Sequence, residues 1–88
     1  MPYIKPEDRR KYEPQMQRLR DSIQSGIPKG ELTYLVYALG LEFFKKKGVS
    51  YTNISTAIGA LNDAAEELRR RHLNSYEDRK IVENGDVK

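Results

Sequence analysis

Ile54, Ile58, Leu61, Ala65, Leu68 and His72 recur at spacings of four, three, four, three and four. A strand returns a side chain to the same face every second residue, whereas only a helix does so every third or fourth. The repeat therefore predicts a helix over residues 51–73 with a narrow, coiled-coil-like seam. Ser50 or Thr52 stands where a side-chain oxygen caps the free N–H groups of a first turn. Asn53, Ala57, Ala60 and Ala64 form a ridge of small residues beside the seam, and short side chains let a neighbouring helix approach closely. Asp63, Glu66 and Arg70 occupy the opposite, solvated face.

A second helix is predicted over residues 30–47, stopped by Gly48 and ending in Lys45, Lys46 and Lys47, which suit the negative end of the helix dipole. Its apolar pattern is wider than one stripe. At about 100° per residue, Leu32, Leu35, Val36, Leu39 and Phe43 share one sector, read as the core face. Tyr34, Tyr37, Leu41 and Phe44 cluster on a roughly opposite sector. A bundle helix buries one sector and leaves the other polar, so this second face is the candidate interaction surface. Either the chain termini fold over it or it packs on the same face of a second copy, and a symmetric dimer needs only one self-complementary patch.

Ahead of these, Tyr12, Met16, Leu19 and Ile23 predict an amphipathic helix over residues 14–25, closed by Gly26 and Pro28. Pro6 with Glu7 and Asp8 predicts a short opening helical turn. After Leu73 the periodicity lapses. Asn84-Gly85 is a strong hairpin-turn signal, but arms of a few residues are marginal in water, so residues 74–88 are expected to form an extended tail. The expected architecture is all-α: a three-helix bundle in a single domain over residues 1–88, with a short N-terminal helical turn and an extended C-terminal tail.

Eighty-eight residues without cysteine allow one small core and no disulfide framework, so good helix packing or a partner chain must supplement it. The longest apolar run, Tyr34 to Leu41, falls well short of the about 20 residues that span a membrane, and Met1 to Pro6 has no secretory apolar region. A cytoplasmic protein without membrane contact is expected.

Enzyme chemistry finds few footholds. There is no cysteine nucleophile, and a Ser–His pair would have to use the one histidine, His72, which sits at the end of the apolar seam. No zinc or di-metal spacing occurs. The glycines form neither a phosphate-cradling loop nor a dinucleotide fingerprint. Glu66–Arg70 and Glu67–Arg71 read as ordinary pairs one turn apart. No enzymatic activity, cofactor or metal is expected.

The net charge of +3 raises nucleic acid as the alternative partner. Residues 1–48 hold ten Lys and Arg against six Asp and Glu, and residues 49–88 hold six against seven. The possible phosphate contacts are three compact runs: Arg9, Arg10 and Lys11; Lys45, Lys46 and Lys47; and Arg69, Arg70 and Arg71. Two converging runs would clamp a phosphate backbone, with Tyr34 and Tyr37 available for stacking. Helix-end dipoles explain the last two runs without any ligand.

The opening Met1-Pro2-Tyr3-Ile4-Lys5-Pro6-Glu7-Asp8-Arg9, the stretch Gly30-Glu31-Leu32-Thr33-Tyr34-Leu35, Tyr51-Thr52-Asn53-Ile54 with Ile58-Gly59-Ala60-Leu61, and the close Tyr76-Glu77-Asp78-Arg79-Lys80-Ile81 with Glu83-Asn84-Gly85-Asp86-Val87 resemble a family of short, uncharacterised proteins of prokaryotes and their viruses. The resemblance spans nearly the whole chain and implies a complete member of that family, of unknown function. It brings no catalytic or binding residue with it. It does imply that the polar C-terminal stretch belongs to the domain, with Tyr76, Ile81 and Val87 docking on the helices.

Overall fold

A computed structural model of the protein describes residues 3–23 and 25–87, and every regular element among them is helical. The chain divides into two compact units, Met1–Leu35 and Val36–Lys88.

In the first unit, helix α1 (Pro6–Arg9) opens with proline in its first turn and carries Glu7 and Asp8 at its positive end. A tight turn, Arg10–Tyr12, leads into α2 (Glu13–Ser22), again with proline in the first turn. Proline costs nothing there because its missing N–H has no intrahelical partner. Helix α2 ends three residues earlier than its periodicity predicts. The Ile23 N–H reaches back to the Leu19 and Arg20 carbonyls, both at 3.2 Å, and the N–H of Gly26 (φ +79°) binds the Ile23 carbonyl at 2.9 Å. On α2 an ion pair joins Arg20 to Glu13 at 3.2 Å. Helix α3 (Lys29–Lys47) begins in this unit, its first turn held by the Pro28 carbonyl, which accepts from the N–H groups of Glu31 and Leu32.

The second unit takes up α3 at Val36. The helix stops where predicted: Gly48 adopts φ +119° and donates its N–H to the Phe44 carbonyl at 2.8 Å. Two further residues lead to α4 (Tyr51–Leu68), capped by Ser50, whose hydroxyl accepts from the Asn53 N–H at 3.1 Å. The Asn53 amide donates back to the Gly48 carbonyl at 2.8 Å, tying the connection shut. Here α3 and α4 meet at Gly40 and Leu61: a Cβ built on Gly40 would stand 3.3 Å from Leu61 Cδ1. Ala57, on the predicted ridge of small residues, is the one buried residue among those described, at 6 % exposure.

This packing departs in part from the expected faces of α3. Leu41 and Phe44, assigned to the open face, are half-buried together with Gly40. Val36, Tyr37, Leu39 and Phe43 are exposed, Tyr37 and Leu39 each at 63 %, although three of the four were assigned to the core. The reason is the bare Cα of Gly40. An apolar wheel gives weight to large side chains, but close helix approach is set by the smallest residue on the contact line, and Gly40 turns α4 toward its own side.

The expected extended tail is also corrected. The chain does not leave the helix at Leu73: a π-helical turn, Arg69–Leu73, continues α4 directly into α5 (Asn74–Asn84). The Asn74 N–H bonds to the Arg69 carbonyl five residues back, the signature of such a turn. The Ser75 hydroxyl bonds back to the Arg71 carbonyl within the helix. Asn84-Gly85 acts as a helix stop, with Gly85 at φ +84° donating to the Ile81 carbonyl at 2.8 Å. Both a hairpin turn and a helix C-terminus need a residue in the left-handed region, so the dipeptide fits either. Nor do Tyr76, Ile81 and Val87 dock on the helices: all three are exposed.

Candidate interaction surface

The surface proposed from sequence splits in two. Tyr34, in the first unit, and Tyr37, in the second, are exposed, while Leu41 and Phe44 are drawn into the packing beside Gly40. In the second unit the open apolar residues of α3 are Val36, Leu39 and Phe43 on one side and Tyr37 on the other. The Lys47 ammonium lies over the Phe43 ring, 5.4 Å from its centroid.

A second open apolar surface follows α4 into α5. Beyond Leu61 every described residue except Glu67 is exposed, including Leu68, Leu73 and Tyr76. Ala65, Leu68, Arg69, His72 and Leu73 line one shallow groove. The π turn makes this continuity. In an α-helix Leu73 would stand about 140° around the axis from Leu68, but the wider turn brings it within about 50°. Leu73 and Tyr76 thus extend the seam of Ile58, Ala65 and Leu68. The sequence carries a signal for this in the five-residue step from Leu68 to the next large aliphatic, Leu73, which breaks the four-three rhythm.

Charged residues flank the same turn. Arg69 pairs with Glu66 at 3.2 Å, and Arg70 and Arg71 both bind the Glu67 carboxylate. The Arg71 hydrogen bond, supported by that from Arg70 and opposed by some desolvation, holds the Glu67 carboxyl at about 2 against an ordinary 4.5.

The basic runs do not converge into a clamp within the second unit. Lys45–Lys47 lie past Gly40 toward the connection, and Arg69–Arg71 lie past Leu61 away from it. With Gly40 beside Leu61, about 20 Å of helix separates the two runs. In the first unit the Arg9 Nε donates to the Ile4 carbonyl at 3.3 Å, and the Lys11 ammonium lies 5.1 Å from the Tyr12 ring centroid. Arg10 is exposed in the tight turn between α1 and α2.

His72 lines the apolar groove. Among the described residues no group of three or more His, Cys, Asp or Glu is placed to hold a metal ion, and no helix is long and apolar enough to cross a membrane.

These features define an all-α chain whose chemistry-bearing residues are dispersed and whose helices keep apolar faces open. The chain belongs to the family described as a domain of unknown function, DUF6899, whose model matches residues 1–87. No curated protein and no solved structure matches it.

Proposed function

We propose that this protein is a small, non-enzymatic interaction module that self-associates through the apolar helix faces of its second unit. One observation carries the reading: Ala57 alone is buried among the described residues, while Val36, Tyr37, Leu39, Ile58, Leu68, Leu73 and Tyr76 are exposed. Apolar surface in such quantity marks an interface. Tyr and Leu side chains at helical spacing suit a second helix better than a flat or polar partner.

A nucleic-acid clamp is disfavoured because Arg69, Arg70 and Arg71 already pair with Glu66 and Glu67 and stand apart from Lys45–Lys47.

Sedimentation equilibrium on the full chain tests the reading. A mass above that of one chain at micromolar concentration is expected; a protein that stays monomeric at high micromolar concentration overturns self-association.

A further inference from the structure

The long helix of the second unit offers a specific seat for a second copy. It runs without interruption from Tyr51 to Asn84. Isolated helical segments owe most of their stability in proteins to packing of an apolar face, yet from Asn62 onward every described residue except Glu67 is exposed. We infer that two copies of this chain pair antiparallel along α4, the π turn and α5, about a two-fold axis between Glu66 and Glu67. This rests on the self-association proposed above and assigns its geometry.

The π turn sets the register. Along the helix, Leu61 and Ile58 lie about 8 and 13 Å on one side of the Glu66–Glu67 midpoint, and Leu73 and Tyr76 lie about 8 and 12 Å on the other, given 1.5 Å per α-helical residue and somewhat less in the π turn. An antiparallel copy therefore brings Ala65 against Leu68, Ile58 against Tyr76, and Leu73 level with Leu61, whose half-buried side chain also packs toward Gly40, each pair counted twice by symmetry. Every layer is apolar, and the small residue of the stripe meets a large one. A parallel pair in register would stack Ala65 on Ala65, leaving a void, and Lys80 on Lys80. It would also set the two Arg69–Arg71 runs side by side.

Size agrees with this assignment. From their exposed fractions, Ile58, Leu68, Leu73 and Tyr76 offer about 400 Å² of apolar side chain, half of the about 800 Å² that each partner brings to an interface of standard size. The polar residues flanking the stripe supply the remainder.

Two measurements on the full chain decide the matter. A Leu68→Glu, Leu73→Glu variant changes only exposed side chains, so self-association is expected to weaken at least tenfold while far-UV helicity falls no further than in wild type diluted to its monomer. Because the chain has no cysteine, nitroxide labels go onto Glu66→Cys or Val82→Cys alone. The expected separations are about 25 Å at position 66, which points away from the seam in both copies, and about 40 Å at position 82. Equal separations at the two positions overturn the antiparallel geometry. A dimer that survives Leu68→Glu, Leu73→Glu but is split by Tyr37→Glu, Leu39→Glu overturns this seat and leaves self-association standing on α3. A wild type that is monomeric at high micromolar concentration overturns both.

Discussion

A methyl group at Gly40 would stand 3.3 Å from Leu61 Cδ1, whereas one at Gly59 would meet nothing within 4 Å. The two glycines lie inside helices, where glycine costs about 0.5–1 kcal/mol relative to alanine. Gly59→Ala is accordingly expected to stabilise the protein by that amount. Gly40→Val forces branched bulk against Leu61 and is expected to cost about 1–3 kcal/mol. Thermal melts of the two variants, moving in opposite directions, check the point. Glu67 offers a different handle. Its folded pKa of about 2 lies below the ordinary 4.5, so its contribution is fully present above pH 4.5 and is lost as the pH falls through about 2. Helicity followed by circular dichroism between these limits should decline more in the wild type than in Glu67→Gln, which has no carboxyl at that position.

Element by element, the π turn is the most consequential departure from regular helix. Removing one of its residues, Arg70, restores α geometry and leaves Leu73 about 40° around the axis from Leu68, close to the about 50° of the π turn. Leu73 and Tyr76 then stay on the line of Leu68. The variant is expected to keep both its helicity and its self-association, which circular dichroism and sedimentation read separately. At the other end of the helix, Ser50→Ala removes the cap on the Asn53 N–H and should lower stability by about 1 kcal/mol, again read from a thermal melt. The ends of α3 and the start of α4 were legible because Gly48 and Ser50 act locally, through bonds to residues a few positions away. What lay beyond sequence reading was either shared between conformations or decided by a neighbour. Asn84-Gly85 suits a hairpin and a helix stop equally. The covered face of α3 was chosen by a contact between Gly40 and Leu61, and an apolar wheel treats Gly40 as empty. Of the candidate surface, Tyr34 and Tyr37 were found open as expected, while Leu41 and Phe44 were not, for the same reason.

For the molecule as a whole, the proposed self-association would make stability a function of protein concentration. The melting temperature is expected to rise with concentration in the wild type and to be flat in Leu68→Glu, Leu73→Glu; differential scanning calorimetry over a hundredfold range tests this. The connection between α3 and α4 carries one more consequence, in time. Gly48, Ser50 and Asn53 close the turn through bonds spanning three to five residues, and close approaches in the chain are mostly local. Chains dominated by local contacts fold in microseconds to milliseconds, whereas meeting a second copy waits on diffusion. Refolding should therefore proceed in two stages: a fast rise in helix signal independent of dilution, then a slower one whose rate scales with the number of chains in solution.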